Sequence, residues 1–193
     1  MNIILASKSP RRKAILKGLN IDFKVVDHKY DEKINPNNDP AKFCKNSAKG
    51  KAISISDKFP NYHVIGVDTI VYFKDKILGK PKNKLEAISY LKLLSNSIHE
   101  VYTGVSVINK KNNIDKSFFD RTIVYFNNIN IDDISFYVNN YKPFDKAGAY
   151  GIQDWSSVFV KKINGCFYNV VGFPLPKFYK LFGDELNLNS RNK

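Results

Sequence analysis

The sequence lacks the features that mark several well-defined classes of protein. Its 193 residues include two cysteines, Cys44 and Cys166, which form neither a CxxC pair nor the framework of a disulfide-rich protein. No apolar run approaches the ~18 residues that a membrane-spanning helix needs. In MNIILASKSPRR at the N-terminus, the apolar residues precede the charged ones, whereas a secretory signal has the opposite order. We therefore expect a soluble cytoplasmic protein.

Arginine is scarce as well, although the formal net charge is +13. The arginines among the 31 basic residues are Arg11, Arg12, Arg121 and Arg191. Proteins that bind nucleic acids rely on arginine because its planar guanidinium group forms paired hydrogen bonds with phosphates and base edges. Here lysines are scattered among asparagines and isoleucines, as a genome rich in A and T would produce. The scarcity of arginine therefore argues against a nucleic-acid partner, and the charge favours at most a weak general affinity for phosphate-bearing ligands.

The common catalytic motifs are absent too. The chain has no Walker loop and no GxGxxG, GxSxG or HExxH motif. Its histidines, His28, His63 and His99, do not have the spacing of metal ligands. A Ser–His–Asp or Cys–His site would require an arbitrary pairing of distant residues, so we expect neither.

The sequence contains enough apolar residues to build a folded core. Hydrophobic residues make up 43% of the chain and aromatic residues 13%. Strands are predicted at 1–6, 21–26, 64–73, 100–108, 117–126 and 156–163, and helices at 10–17, 39–55, 85–94, 131–141 and 173–182. Because hairpins and helices are mixed, the predicted fold class is α/β (mixed α+β) on a mixed sheet. We expect one domain over residues 1–186 and a frayed polar tail over 187–193.

The segment Ser7–Arg12, SKSPRR, lies between a predicted strand and the start of a predicted helix. A helix N-terminus offers free backbone N–H groups and a partial positive charge, which suit a phosphate group. Ser7 and Ser9 would add hydroxyl donors, and Arg11 and Arg12 would add bidentate ones. The alternative is an ordinary helix cap followed by two solvated arginines.

Asp68 lies in the middle of the most apolar strand, VIGVDTIVYF at 64–73. Burying a carboxylate alone is very costly, so Asp68 must lie at a strand end or a cleft, or acquire a partner or a metal ion. We therefore predict a functional role for Asp68. The charged segments Asp31-Glu32 and Lys49–Ala52 are typical of a solvated surface when each is taken alone, and Gly79–Pro81 is predicted to be a turn after a hairpin.

Several short segments occur in an order that is specific as a series, although each is a weak signal alone. They are LASKSPRR at 5–12, DE at 31–32, KGKA at 49–52, GVDTIV at 66–71, GKP at 79–81, YTG at 102–104, KAGAYGIQ at 146–153 and NVVGFPL at 169–175. With these segments the chain resembles the Maf family of nucleoside triphosphate pyrophosphatases. The departures from the family pattern at Asn96, Asp154 and Cys166 touch no residue with a predicted role.

The resemblance implies a fold similar to that of inosine triphosphate pyrophosphatases, in which a long curved mixed sheet carries two lobes around a central cleft. It implies a hydrolase that cleaves the α–β phosphoanhydride of a nucleoside triphosphate, giving the monophosphate and pyrophosphate, with Mg²⁺ or Mn²⁺ as cofactor. Homodimers are common in the family, and a role in nucleotide-pool cleansing or division arrest would follow from membership. Asp68-Thr69 and Gln153 are similar to the branch that acts on dTTP and UTP, not the branch that acts on 7-methyl-GTP.

The resemblance also implies a role for each site residue. Asp68 would be the general base, and Glu32 and Asp68 would hold the metal ion. The residues implied to bind the phosphates are Ser7, Arg11, Lys51 and Lys80. The residues implied to select the base are Arg12, Thr69 and Gln153.

Other functions stay open on the sequence. The net charge is compatible with a basic regulatory protein that binds nucleic acid or a cell-division partner. The substrate of an enzyme could also be a modified pyrimidine or a modified purine triphosphate. Gln153 argues against a purine, because its amide can pair with O4 and N3–H of uracil or thymine. Alternatively, Gln153 only satisfies backbone groups of its own glycine-rich loop.

Overall fold

The structure is a computed structural model, which describes residues 2–31 and 39–188. The strands are β1 (Ile3–Ala6), β2 (Lys24–Val25), β3 (His63–Phe73), β4 (Lys76–Leu78), β5 (Ile98–Asn109), β6 (Ile114–Phe126) and β7 (Val160–Asn164). The helices are α1 (Pro10–Lys17), α2 (Pro40–Ser56), α3 (Lys84–Leu94), α4 (Ile131–Tyr141), α5 (Phe167–Val171) and α6 (Leu175–Phe182). All the strands belong to one mixed sheet, which confirms the predicted fold class. Within the described ranges, no helix is long and apolar enough to span a bilayer.

The sheet has a gap along one edge of β3. Its strand order is β2-β1-β3-β5-β6-β7, with β4 also paired to β3. Strand β1 runs parallel to β3 as far as the pair Ala6 and Gly66, whereas β4 runs antiparallel and ends at the pair Leu78 and Val71. Strand β5 pairs along the opposite edge. Among the described residues, therefore, no strand lies beside 67–70 on this edge, and the C-terminal ends of β1 and β4 point towards each other across the gap.

Helix α2 covers one face of the sheet and approaches it closely at two glycines. A Cβ atom on Gly66 would lie 2.1 Å from a backbone carbonyl oxygen of α2, and one on Gly104 would lie 2.2 Å from another. Gly104 is the sheet partner of Asp68 on β5. The close approach therefore brings α2 over Asp68, and Lys51 is the helix residue that reaches it.

On the opposite face, alternate residues of β3 separate two apolar clusters. Ile65 and Val67 pack in a cluster with residues of α1 and α6, whereas Val71 and Phe73 pack in a cluster with residues of α3 and α4. Side chains two residues apart on a strand share a face, so Thr69 lies between the two clusters. They correspond to the two predicted lobes, and the polar Thr69 marks the boundary between them.

The strand predicted at 21–26 is much shorter in the structure. Only Lys24–Val25 forms β2, because its partner β1 has four residues and pairs with it at two positions. The helix predicted at 173–182 begins two residues later in the structure, at Leu175. Its first residues follow the short helix α5, which ends at Gly172 with a φ of 111°, a backbone conformation that favours glycine.

The strand predicted at 156–163 is wrong in its first half. Residues Trp155–Phe159 form a 3-10 helix, and the strand begins only at Val160. The cause is local, since the Asp154 carboxylate accepts hydrogen bonds from the backbone N–H and the hydroxyl of Ser156. These bonds turn the chain where the apolar residues alone favour a strand.

Candidate active site

The gap in the sheet opens into a cleft of about 370 Å³. The turn after β1 and the start of α1 border it on one side, and the loop after β4 borders it on the other. The predicted site residues that line the cleft are Ser7, Arg11, Arg12, Lys51, Thr69, Lys80 and Gln153. Asp68 lines an adjoining pocket of about 180 Å³ that shares Arg12, Lys51, Thr69 and Lys80 with the cleft. Glu32, the other predicted metal ligand, lies outside the described residues.

Asp68 and Lys51 form a buried ion pair at the floor of the site. The two residues are 4% and 3% exposed, and the Lys51 Nζ donates to Asp68 Oδ1 at 2.7 Å. The same Nζ lies 3.4 Å from the carbonyl oxygen of Val67. The expectation that Asp68 needs a partner is therefore met by a residue that the sequence analysis placed among the phosphate ligands. Lys51 also lines the cleft, so its predicted phosphate contact would be additional to this bond.

The second oxygen of Asp68 is in a different situation. Asp68 Oδ2 is buried and has no hydrogen-bond partner among the described residues. An unpaired buried carboxylate oxygen is costly, and a hard cation or a water molecule in the adjoining pocket would relieve that cost. The described residues contain no group of three acidic, histidine or cysteine side chains that could hold a metal ion. The donor set still fits Mg²⁺, because this ion is usually bound through one or two carboxylates together with substrate phosphates.

Cys44 lies near Asp68 but has the properties of a structural thiol. It is fully buried, and its Sγ donates to the carbonyl oxygen of Ala41. Burial, followed by the negative charge of Asp68, raises the pKa of the Cys44 thiol. A thiol held in its protonated form is a poor nucleophile, so Cys44 is not suited to a catalytic role.

Arg12 connects three parts of the site. Its Nη1 donates to Ser7 Oγ at 3.1 Å, its Nη2 donates to Thr69 Oγ1 at 3.0 Å, and its Nε donates to the carbonyl oxygen of Gly172 at 2.9 Å. Ser7 Oγ also accepts the backbone N–H of Ser9 at 3.3 Å. The Ser7 oxygen thus accepts two hydrogen bonds, and its own proton is left for a ligand. Arg12 therefore positions a predicted phosphate residue and a predicted base residue together.

Gly172 is required at this point for two reasons. Its φ of 111° lies in the region that L side chains rarely adopt, and an added Cβ would lie 3.2 Å from Thr69 Oγ1. A larger residue would push the segment after α5 away from Thr69. The glycine therefore keeps its own carbonyl within reach of Arg12.

Arg11 and Lys146 meet at a carboxylate on the wall of the cleft. Arg11 Nη1 lies 2.5 Å from Asp145 Oδ2, and Lys146 Nζ lies 2.9 Å from Asp145 Oδ1. Burial raises the pKa of Asp145, but the hydrogen bonds from Lys146 and Arg11 outweigh it and leave the pKa below its ordinary value. An anionic ligand in the cleft would compete with Asp145 for these cations. Lys80 is exposed at the same cleft and forms no ion pair with the described residues.

Gln153 is exposed in the cleft, and its side chain makes no hydrogen bond to any described residue. The glycine-rich loop is held by Ser156 instead. The hydroxyl of Ser156 accepts the N–H of Gly151 and contacts its carbonyl oxygen, both at 3.0 Å. In the described structure Gln153 therefore does not support its own loop, and its amide is available to a ligand.

Residues that sequence reasoning missed lie directly beneath Thr69. The hydroxyl of Thr103 lies 3.0 Å from that of Thr69 and donates to the carbonyl oxygen of Asn169 at 3.0 Å. Thr103 and Asn169 are both 0% exposed. They belong to the segments YTG and NVVGFPL that carried the family resemblance, which was the available signal.

A second buried pair supports the wall of the cleft. His99 Nε2 lies 2.8 Å from the hydroxyl of Tyr150, and Tyr150 lines the cleft. Burial lowers the pKa of His99 to about 3 and raises the pKa of Tyr150. Both side chains are therefore neutral near pH 7, and the pair acts as a support and not as an acid–base couple.

Comparison with known proteins gives this arrangement a family. Residues 2–185 match the family model described as Maf-like protein. The chain belongs to the Maf family. Membership confirms the resemblance that the short segments indicated. The matched range includes the residues that line the cleft.

Two curated relatives are similar to this Maf-family chain along nearly its whole length. The dTTP/UTP pyrophosphatase of Clostridium novyi (strain NT) is 45% identical over 186 residues, which cover 95% of this chain and 97% of that protein. The dTTP/UTP pyrophosphatase of Thermosipho melanesiensis is 46% identical over 185 residues, covering 96% and 98%. The solved structure of the Staphylococcus aureus Ham1 protein covers 65% of this chain and 72% of its own, with a TM-score of 0.47 and 14% identity. That likeness is too low to add to the family assignment.

Proposed function

We propose that this Maf-family chain hydrolyses dTTP and UTP to the nucleoside monophosphate and pyrophosphate. The observation that carries the proposal is the position of Asp68. Its buried carboxylate has one unpaired oxygen and lies at the floor of a cleft that is lined with cationic side chains. The relatives with 45% and 46% identity carry the name dTTP/UTP pyrophosphatase, which supports the same pair of substrates.

The phosphates would occupy the side of the cleft next to the gap. Arg11 and Lys80 supply positive charge there, and the proton of Ser7 is available because its oxygen already accepts two hydrogen bonds. Phosphate oxygens would displace Asp145 from Arg11, which exchanges one charge-assisted contact for another. Lys51 would add charge from below while it keeps its bond to Asp68.

Asp68 would accept a proton from the attacking water. Lys51 fixes the orientation of the carboxylate through Oδ1, so Oδ2 is the oxygen that remains for the proton. Glu32 would hold a divalent cation, Mg²⁺ or Mn²⁺, and Asp68 would contribute its negative charge to the same site. When bound, such an ion lowers the pKa of a coordinated water and neutralises charge on the leaving pyrophosphate. A positioned general base contributes typically ~10²–10⁴-fold to the rate.

The base would lie against the wall that carries Gln153. The amide nitrogen of Gln153 can donate to O4 of uracil or thymine, and its carbonyl oxygen can accept a hydrogen bond from an N–H group. Arg12 and Thr69 would contribute from the phosphate side. Cytosine and adenine present the reverse pattern, an amino donor beside a ring-nitrogen acceptor, and would leave these groups unpaired, which costs binding energy.

A turnover panel tests the proposal. Release of pyrophosphate is measured with dTTP, UTP, CTP, ATP and GTP in the presence of Mg²⁺ or Mn²⁺, with a chelator as the control, and ³¹P NMR identifies the products. We expect dTTP and UTP to be converted to the monophosphate and pyrophosphate with the highest kcat/KM. Absence of turnover with both, or release of single phosphates only, would overturn the proposed function. A preference for a purine triphosphate would reject the choice of substrate.

A further inference from the structure

Thr69 is the first member of a hydrogen-bond chain that runs from the cleft into the core. Its Oγ1 lies 3.0 Å from Thr103 Oγ1, and Thr103 Oγ1 donates to the carbonyl oxygen of Asn169 at 3.0 Å. Thr103 and Asn169 are both fully buried. The chain therefore joins a residue that lines the cleft to a backbone carbonyl that no solvent reaches.

The Asn169 carbonyl, at the end of this series of hydrogen bonds, fixes which group donates in each of them. A carbonyl oxygen only accepts, so the single proton of the Thr103 hydroxyl is committed to Asn169. Thr103 must then accept from Thr69, and the Thr69 proton points into the core. Arg12 Nη2 donates to Thr69 Oγ1 from the other side at 3.0 Å. A hydroxyl oxygen can accept two hydrogen bonds. Because Arg12 uses one of these positions, Thr69 can offer a ligand one lone pair and no proton.

The carbonyl of Asn169 is itself held in place. The side-chain Nδ2 of Asn169 donates to the carbonyl oxygen of Val101 and to Thr122 Oγ1, both at 3.0 Å. Thr122 in turn donates to the carbonyl oxygen of Cys166 at 3.1 Å. These bonds tie the short helix α5 to two neighbouring strands, β5 and β6. The Asn169 carbonyl is therefore held in place as the acceptor, and the direction of the hydrogen bonds cannot reverse.

We propose that Thr103 and the Asn169 carbonyl are positioning groups that make Thr69 a pure hydrogen-bond acceptor in the cleft and thereby select a base with a proton on N3. Uracil and thymine carry N3–H, which Thr69 can accept, whereas N3 of cytosine is itself an acceptor and would face the Thr69 lone pair. Gln153 would then donate to O4. This inference rests on the proposed function and assigns one of its contacts.

The test compares UTP with CTP in variants of Thr103. Thr103→Val keeps the shape of the side chain but removes the acceptor for the Thr69 proton, so Thr69 can rotate and donate to N3 of cytosine. We expect the ratio of kcat/KM for UTP to that for CTP to fall by about threefold to tenfold, the range for one neutral hydrogen bond. Thr103→Ser keeps the hydroxyl and is the matched control, with the ratio of the wild type.

A double-mutant cycle separates this role from a structural one. Thr69→Val removes the hydroxyl on which Thr103 acts, so adding Thr103→Val to it should not change the UTP-to-CTP ratio further. If Thr103→Val alone does not fold, Thr69→Val keeps the test available, because loss of the Thr69 lone pair should itself lower the UTP-to-CTP ratio, and an unchanged ratio would overturn the inference. Circular dichroism is used to check that each variant is folded before its rates are measured.

The outcomes distinguish this inference from the proposed function. If the wild type does not turn over UTP, the proposed function fails. If the wild type prefers UTP and Thr103→Val lowers kcat/KM for UTP and for CTP by the same factor, the inference fails while the proposed function stands. An additional fall in the ratio when Thr103→Val is combined with Thr69→Val would also overturn the inference, because Thr103 would then act by another route.

Discussion

Lys51 divides the two oxygens of Asp68 into one that is bonded and one that is not. The Lys51 Nζ lies 2.7 Å from Oδ1, while Oδ2 has no partner among the described residues. The ion pair balances the charge of a carboxylate in an apolar strand and prevents it from turning. The unpaired oxygen is thereby held in one place at the gap between β1 and β4.

The ion pair predicts unequal effects for two lysines of α2. Lys51→Ala should lower the free energy of unfolding by about 3–5 kcal/mol, because it leaves Asp68 as an uncompensated buried charge. Lys49→Ala removes an exposed pair with Asp115, whose side chains are 41% and 51% exposed, and should cost less than about 1 kcal/mol. Urea unfolding monitored by circular dichroism measures both. Similar small losses in the two variants would mean that Asp68 does not depend on Lys51.

Arg11 and Asp145 should have opposite effects on substrate binding. Arg11→Ala should raise KM for UTP about tenfold or more, because a hydrogen bond to a charged group contributes roughly 1.5–3 kcal/mol. Asp145→Asn removes the competitor for Arg11 and should leave KM unchanged or lower it. Steady-state kinetics with UTP gives both values. An unchanged KM in Arg11→Ala would place Arg11 outside the phosphate site, as an ordinary surface arginine.

Gln153→Glu tests the contact with the base. A carboxylate cannot donate to O4, so turnover of UTP and dTTP should fall by about tenfold or more relative to turnover of ATP. Because the loop is held by Asp154 and Ser156, the substitution should not disturb its structure. The measurement is kcat/KM for UTP, dTTP and ATP, because adenine does not present the acceptor and N–H pair that uracil and thymine share. An equal fall for all three would show that Gln153 shapes the cleft and does not contact the base.

The lowered pKa of His99 should reduce the free energy of unfolding in acid. Its pKa is about 3 in the folded protein and ~6.5 in an unfolded chain. Between these values the unfolded state binds a proton that the folded state does not. The free energy of unfolding therefore decreases as the pH falls below ~6.5, by at most ~1.4 kcal/mol per pH unit. The slope should be smaller in His99→Gln, which can still hydrogen-bond Tyr150. Equal slopes from pH 7 to pH 5 would mean that His99 is protonated in the folded state.

The fold was largely predictable because its long elements have strong local signals. The apolar run around Asp68 predicted β3, and Asp39-Pro40 predicted the start of α2, where the Asp39 side chain accepts the N–H of Lys42. The failures occurred where side-chain bonds override propensity. Asp154 and Ser156 turned a predicted strand into a 3-10 helix, and no pattern in the sequence marks that choice.

The site was predictable in its members but not in its internal bonds. The need of Asp68 for a partner followed from its apolar neighbours, yet the identity of Lys51 as that partner depends on the approach of α2 at Gly66. The hydrogen bond from Thr103 to Asn169 joins residues that are 66 positions apart in the sequence. Such contacts arise only when the strands and α5 have packed, so a single sequence does not reveal them.

The most direct test of the account is the rate of pyrophosphate release from UTP by Asp68→Asn. The substitution keeps the shape of the side chain and removes its basicity, so we expect kcat to fall by ~10²–10⁴-fold. Asp27→Asn is the control, because Asp27 also lines the cleft but is exposed and paired with Lys8, and it should retain most of the activity. The assay is done at a temperature at which circular dichroism shows both variants to be folded. If Asp68→Asn retains more than about a tenth of the wild-type rate, Asp68 is not the base and the central claim is contradicted.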